Sequence, residues 1–188
     1  MLRAVGAKAR WIVDDSRQQD LSSLVECLRC GVLFFSEPFS SSELQTMYQN
    51  YRNDEYLRRR RRFEPWYTKK INDSIGHSTS TLDHRRAHLE DVLAEVVQRG
   101  MAQSPRRVLD VGGDEGQFIP NLSTIEMKAV LEVSEVRRDA DVVSVKDWQD
   151  ASKCSPDLIM MCHVLEHTSE ARELVQSAVE CLAVSGLL

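Results

Sequence analysis

The feature that most constrains this chain is the segment 107–118, whose sequence is RVLDVGGDEGQF. It begins with a short apolar run that only Asp110 interrupts, a composition typical of a buried strand. The glycine turn that follows, residues 112–116, contains Gly112, Gly113 and Gly116. A strand that leads into such a turn is the first part of a mononucleotide-binding unit, where glycines let the backbone approach a ligand closely.

The spacing of these glycines distinguishes between ligand classes. Dinucleotide-binding folds place glycines at the first, third and sixth positions of the turn. Here the first two glycines are adjacent, the third comes three residues later, and Asp110 lies two residues before the first. This pattern, Asp-x-Gly-Gly-x-x-Gly, resembles motif I of the class I S-adenosylmethionine-dependent methyltransferases. We also expect a short helix to begin at residues 117–119, and Pro120 to limit its length.

The resemblance implies that Asp110 and the three glycines bind S-adenosylmethionine, with the glycines around its methionine moiety. Residues 127–133 predict the second strand, and Glu132 stands near its carboxyl end, 22 residues after Asp110. Adenosine-binding folds of this architecture place an acid there, which accepts hydrogen bonds from the ribose hydroxyls. Residues 141–145 indicate a third strand, and the resemblance implies that Asp147, just beyond it, contacts the adenine.

A second motif lies at residues 156–167, where a buried strand runs into the polar sequence His-Val-Leu-Glu-His. This sequence closely resembles the segment after the fourth strand in a large group of methyltransferases. His163 and His167 are the nearest candidates for a catalytic base, because histidine titrates near neutral pH. Metal binding by the two histidines, a wall of the cofactor and substrate site, and plain packing remain alternative interpretations.

Together these motifs imply an α/β fold for residues 82–188, a Rossmann-like parallel sheet with ligand bound at the carboxyl ends of its strands. An amphipathic helix over residues 82–99 precedes the first strand. The sequence stops at residues 185–188, where strand five of the family begins, so we expect strands one to four and the start of five. We therefore expect a C-terminally incomplete domain whose open sheet edge favours self-association.

The N-terminal part contains a second turn with a chemical motif, the cysteine turn at residues 27–31, Cys-Leu-Arg-Cys-Gly. Cys27 and Cys30, followed by an apolar strand, are half of a zinc ribbon, although a closed zinc site needs four ligands. Reduced thiols, zinc binding and redox chemistry remain open at this point. The element resembles the zinc domain of several sugar-modifying methyltransferases, which implies zinc as a second cofactor. It also implies a nucleotide-linked sugar or related small metabolite as the methyl acceptor.

Residues 48–67 combine four tyrosines with six arginines. Such a segment fits a solvated helix with inward aromatic residues, arginines that hold a phosphate or carboxylate, or a nucleic-acid surface. In the methyltransferases that the chain resembles, this region belongs to a substrate lid. We predict a partial zinc-ribbon-like and helical region at residues 1–72, with a short strand at residues 11–13, and then a linker at residues 73–81.

The overall composition argues against several other classes of protein. A net charge of −5 disfavours a general nucleic-acid binder, and no apolar run approaches the roughly 20 residues that span a bilayer. The N-terminus lacks the apolar core of a secretory signal, and an odd number of cysteines fits a reducing compartment, so the cytoplasm is expected. The predicted function is S-adenosylmethionine-dependent methylation of a small molecule. The alternatives are an inactive, truncated methyltransferase-like binding protein and an NAD-dependent oxidoreductase.

Overall fold

The chain divides into two units, Met1–Asp73 and Ser74–Leu188, which are described separately. The computed structural model describes residues 2–9, 21–37, 39–49, 51–75, 79–132, 140–168 and 170–188. The short strand predicted at residues 11–13 lies outside these residues. No helix in the described part of the chain is both long and apolar enough to cross a membrane.

In the N-terminal unit, three antiparallel strands form one sheet in the order β1-β2-β3. They are β1 (Leu2–Ala9), β2 (Leu21–Cys27) and β3 (Leu33–Phe35). The cysteine turn connects β2 to β3, which is the apolar strand expected after it. Gly31 has a φ of +74°, a conformation that residues with a Cβ disfavour, so glycine suits the end of this turn.

Three helices complete the N-terminal unit: α1 (Ser41–Gln49), α2 (Asp54–Phe63) and α3 (Lys69–Ser74). Asn53 caps α2, because its side-chain oxygen accepts a hydrogen bond of 2.8 Å from the backbone N–H of Tyr56. Tyr56 and Tyr67 are buried, and the hydroxyl of Tyr67 donates to the buried Asn72 at 3.2 Å. Part of the arginine- and tyrosine-rich segment is therefore a solvated helix held by inward aromatic residues.

The C-terminal unit is an α/β structure with a parallel sheet, which confirms the predicted fold class. Its strands run in the order β6-β5-β4-β7, with β4 and β5 in the middle. Its elements are α4 (Thr79–Gln98), β4 (Arg107–Val111), β5 (Met127–Leu131), β6 (Val142–Val145), α5 (Trp148–Lys153), β7 (Leu158–Met160), the 3-10 helix η1 (Leu165–His167) and α6 (Ala171–Cys181).

Both faces of this sheet are buried, as parallel sheets require. Alternate residues of β4 point to opposite faces: Leu109 packs into a cluster with residues of α5 and α6, and Val108 into one with Leu93 of α4. Beyond β7, Leu187 forms a parallel bridge to Leu158, and its N–H donates to the carbonyl of Asp157 at 2.9 Å. Leu187 therefore occupies the position beside the fourth strand where a fifth strand was expected to start.

Two local predictions differ from the structure. No helix begins at residues 117–119; the chain continues through turns, in which the N–H of Ile119 donates to the carbonyl of Gly116 at 3.1 Å. Pro120 explains this, because it lacks an N–H and disfavours helical geometry in the residue before it. The first helix of this unit begins at Thr79 rather than at residue 82.

Candidate functional site

The glycine turn follows directly from β4 at the carboxyl end of the sheet, and its first glycine is tightly enclosed. Gly112 has a φ of +68°, and its N–H donates to the carbonyl of Leu131 at 2.8 Å, which ties the turn to β5. A Cβ at Gly112 would lie 2.6 Å from Cγ2 of Val164. A side chain at this position is therefore excluded both by the backbone conformation and by the neighbouring valine.

The other two glycines are enclosed by different neighbours. A Cβ at Gly113 would overlap the carboxyl group of Asp110. At Gly116, where φ is +80°, a Cβ would lie 3.2 Å from Cγ2 of Val130. The three glycines therefore let the turn pack closely against β4, β5 and the segment after β7.

Asp110 lies under the glycine turn and is completely buried. Neither of its carboxyl oxygens has a hydrogen-bond partner among the described residues. Burial, and then the nearby charge of Glu132, raise the pKa of Asp110 to about 7. Because a buried polar group without a partner is costly, this carboxyl group is suited to a ligand that brings its own donor, such as an ammonium group.

Glu132 is the residue after β5, and its side chain reaches the glycine turn. Its Oε2 accepts a hydrogen bond of 3.2 Å from the backbone N–H of Asp114. The structure thus brings together Asp110, the three glycines and Glu132, as the motif spacing predicts for strands whose carboxyl ends meet at one sheet edge.

Asp147 lies just beyond β6 and is the N-cap of α5. Its side chain accepts a hydrogen bond of 2.8 Å from the backbone N–H of Asp150. This contact gives Asp147 a structural role in starting the helix. Its contact with adenine stays a prediction.

The two histidines lie in the segment after β7, and both are exposed. Nδ1 of His163 is 3.1 Å from Oε1 of Glu166, so a carboxylate lies within hydrogen-bonding distance of one ring nitrogen. The pKa of Glu166 is lowered by a backbone hydrogen bond and also by His163. His167 ends η1, and its backbone N–H donates to the carbonyl of Val164 at 3.0 Å. Val164 connects this segment to the glycine turn.

Sequence reasoning missed the residues that support the turn. Val164 packs on Gly112. Val164 lies inside the motif His-Val-Leu-Glu-His, but the sequence pattern does not predict this contact. From α4, Nε of Arg86 donates to the carbonyl of Gln117 at 2.7 Å, and the guanidinium of Arg85 lies 5.3 Å from the ring centre of Phe118. No local pattern marks these contacts, because each joins residues more than 30 positions apart.

A thiol also lies near the buried carboxyl group. Although Cys162 is an exposed residue, the partial burial of its thiol, and then the charge of Asp110, raise the pKa of Cys162, while Arg85 lowers it. The thiol therefore stays protonated to a higher pH than an ordinary cysteine, which makes it a poor nucleophile.

Cys27 and Cys30 belong to the other unit. The pKa of Cys27 is lowered by the backbone N–H groups of Arg29 and Cys30 and by the thiol of Cys30. Within the described ranges, no group of three or more His, Cys, Asp or Glu side chains is arranged to hold a metal ion. The zinc prediction therefore has no structural support from the described residues beyond the two thiols themselves.

A comparison with protein families matches the C-terminal unit. A family model described as a methyltransferase domain covers residues 81–188, which is 108 of the 188 residues. No match was found among curated proteins or among solved structures.

Proposed function

This chain belongs to the methyltransferase domain family and is an S-adenosylmethionine-dependent methyltransferase, and we propose that its methyl acceptor is a nucleotide-linked sugar. The family match supports the reaction class, and the acceptor is suggested by the resemblance of the cysteine turn to sugar-modifying members. NAD-dependent hydride transfer is disfavoured, because the adjacent Gly112 and Gly113 depart from the dinucleotide pattern.

The single observation that carries the cofactor site is the unpartnered Asp110 beneath the glycine turn. We place the methionine moiety of S-adenosylmethionine at this turn, where its ammonium group would partner Asp110. The ribose hydroxyls would bind Glu132, whose carboxylate already lies beside the turn. When bound, the cofactor supplies a methyl group activated on a sulfonium. The chain's own contribution is to bind the two reactants and hold them in line.

A hydroxyl acceptor also needs a base, and His163 is our candidate for it. Glu166 holds Nδ1 of this ring at 3.1 Å, which leaves Nε2 to accept a proton from the acceptor. The carboxylate also stabilises the imidazolium that forms. His167 is the second candidate, since it lies on the same segment.

Titration calorimetry tests the cofactor site. We expect S-adenosylhomocysteine to bind and NAD to give no heat; binding of NAD without a response to S-adenosylhomocysteine would overturn the assignment. Transfer of labelled methyl groups to a panel of nucleotide-linked sugars, with the free sugars as controls, tests the acceptor. Methylation of free sugars alone would contradict the proposed acceptor but leave the cofactor site intact.

The base is tested by His163→Gln. We expect kcat to fall about 100-fold while the affinity for S-adenosylhomocysteine stays unchanged. His88→Gln, which replaces an exposed histidine of α4, is the matched control. Unchanged kcat in the His163 variant would show that His163 is not the base. Either His167 would then be the base, or the acceptor would need none.

A further inference from the structure

The proposed function gives no chemical task to the two thiols of the cysteine turn. The backbone of this turn makes a single helical turn, because the N–H of Gly31 donates to the carbonyl of Cys27 at 2.8 Å. The N–H of Cys27 donates to the carbonyl of Val32 at 2.9 Å, which closes the hairpin between β2 and β3. Cys27 and Cys30 are three residues apart within the helical turn, so their side chains lie on the same side of it.

A hydrogen bond joins the two sulfur atoms. The thiol of Cys30 donates to the sulfur of Cys27, and the backbone N–H groups of Arg29 and Cys30 donate to the same sulfur. These contacts lower the pKa of Cys27, with the backbone N–H groups as the largest cause, although burial and the charge of Glu26 act against them. Cys27 is therefore the thiol of this pair whose negative charge the turn stabilises.

The turn is also open to reagents in solution. Cys30 is exposed and Cys27 is partly exposed. A disulfide needs Cβ atoms about 3.5–4.5 Å apart, whereas residues three apart in a helical turn have them about 5–6 Å apart. The turn must therefore tighten by about 1–2 Å to form the bond. The surroundings allow this movement, because even a Cβ at Gly31 would meet no described atom within 4 Å.

A second pair of cysteines lacks this access. Cys154 follows α5 and Cys181 ends α6, and the two lie near each other, since Cys154 contributes to the raised pKa of Cys181. Burial is the larger cause of that raised pKa, and both residues belong to the buried core of the C-terminal unit. An oxidant in solution cannot reach them while the unit is folded. Of the five cysteines, all of which the structure describes, only Cys27 and Cys30 combine proximity with access.

We propose that Cys27 and Cys30 form a reversible redox site, in which a small disulfide such as oxidised glutathione converts the two thiols to a disulfide bond within the turn. The thiolate of Cys27 attacks one sulfur of oxidised glutathione, whose S–S bond breaks; one glutathione thiolate leaves, and a mixed disulfide remains on Cys27. Cys30 then loses its proton to water and attacks the sulfur of Cys27, which releases the second glutathione thiolate. After the released thiolates take up protons, two protein thiols have been oxidised and one glutathione disulfide has been reduced to two thiols.

The surroundings of Cys27 indicate that this disulfide is easily reduced. Groups that stabilise the thiolate stabilise the reduced form, which makes the corresponding disulfide a stronger oxidant. Oxidation also removes the charge that the N–H groups of Arg29 and Cys30 stabilise. The pair is therefore suited to respond to an oxidising change rather than to hold the hairpin together permanently. This role goes beyond the proposed methyl transfer and does not depend on it.

The test places the full chain, as purified, in glutathione buffers with different ratios of oxidised to reduced form. Quenching with iodoacetamide and mass spectrometry of the peptides then give the state of each cysteine. We expect Cys27 and Cys30 to shift from dithiol to disulfide as the oxidised fraction rises, and to return when reduced glutathione is added in excess. Cys154 and Cys181 should stay reduced. An unchanged dithiol at every ratio, or a lasting glutathione adduct in place of the disulfide, would overturn the proposal.

Single substitutions test the order of the two steps. Cys30→Ser should accumulate a glutathione adduct on Cys27, because no second thiol remains to displace it. Cys27→Ser should form an adduct on Cys30 about tenfold more slowly, since the stabilised thiolate is lost. Cys162→Ser is the matched control and should form the disulfide of the turn like the unchanged protein. Equal rates of adduct formation in the Cys27 and Cys30 variants would overturn the assignment of Cys27 as the attacking thiolate.

Unfolding separates the folded turn from the bare sequence motif. In urea, the adduct on Cys27 of the Cys30→Ser variant should form more slowly than in the folded protein, because the N–H groups no longer stabilise the thiolate. Equal rates would overturn the proposal, since the fold would then contribute nothing. Metal analysis of the same samples tests the competing use of the thiols. Zinc that stays bound to both cysteines in the presence of oxidised glutathione would overturn the redox site in favour of a structural metal site.

Discussion

The glycine turn and the cysteine turn are both short connections that follow a strand, and both carry a recognisable chemical motif. They differ in what surrounds them. The glycine turn is enclosed by Val164, Val130 and the buried Asp110, which come from three different strands or the segments after them. The cysteine turn closes a hairpin, and a Cβ at Gly31 would meet no described atom within 4 Å. The difference is therefore that segments distant in the sequence enclose the glycine turn, whereas no such segment of the described chain is seen to enclose Gly31 of the cysteine turn.

We expect Asp110→Asn to cause the largest change in the free energy of unfolding. Folding raises the pKa of Asp110 from 3.8 to about 7, so the folded protein binds an extra proton between these pH values. Its free energy of unfolding therefore falls as the pH rises through this range, by about 4 kcal/mol at most. Without ligand, the Asn variant should lose this pH dependence and be more stable than the unchanged protein at pH 8. It should also bind S-adenosylhomocysteine weakly.

Urea unfolding at pH 5 and pH 8 measures this difference. Asp141→Asn is the control of opposite sign, because the ion pair with Lys128 lowers the pKa of Asp141. That carboxylate stabilises the fold above its unfolded pKa, and its contribution is lost as the pH falls. An identical pH dependence for Asp110→Asn and the unchanged protein would mean that Asp110 already has a partner.

The second prediction compares the loss of stability caused by the same substitution, glycine to alanine, in the two turns. Gly112→Ala should reduce the free energy of unfolding by about 3 kcal/mol, because it adds a steric overlap with Val164 to the strain of a positive φ. Gly31→Ala has the same strain without the overlap and should cost only about 1 kcal/mol. Chemical unfolding of both variants checks the difference.

A double-mutant cycle gives the reason for that difference. Gly112→Ala should be less destabilising in a Val164→Ala background, where the overlapping methyl group is absent. Additive effects of the two substitutions would show that the backbone, and not Val164, sets the requirement for glycine.

The third effect concerns Glu132. Glu132→Gln should weaken S-adenosylhomocysteine binding by about 1.5–3 kcal/mol, the scale of hydrogen bonds to a charged group. Glu126→Gln is the matched control, because Glu126 pairs with Arg106 at the amino end of the same sheet. Calorimetry that finds equal affinities for both variants would place the ribose elsewhere.

The smallest effect is expected at the cysteine turn. Cys27 should react with iodoacetamide faster than Cys162 at pH 7.5, because backbone hydrogen bonds lower the pKa of Cys27 whereas burial raises that of Cys162. Mass spectrometry of the alkylated peptides measures both rates. Cys27→Ser/Cys30→Ser should leave S-adenosylhomocysteine binding unchanged; a large loss of affinity would show that the cysteine turn contributes to the cofactor site.

The sequence was sufficient to predict the parallel sheet and the approach of Glu132 to the glycine turn. Both follow from local patterns, since strands that run parallel bring their carboxyl ends to one edge. The support from Arg86 and Val164 was not predictable, because it depends on contacts between segments far apart in the chain. The predicted helix at residues 117–119 was wrong, because the effect of Pro120 on the residue before it outweighed the usual course of the motif.

The contact between Gly112 and Val164 also has an evolutionary consequence. The two residues are 52 positions apart, and a larger side chain at either one would occupy the space of the other. The constraint is one-sided. Among descendants of this sequence, a smaller residue at position 164 should be tolerated alone, whereas a side chain at position 112 should appear only where residue 164 has become smaller.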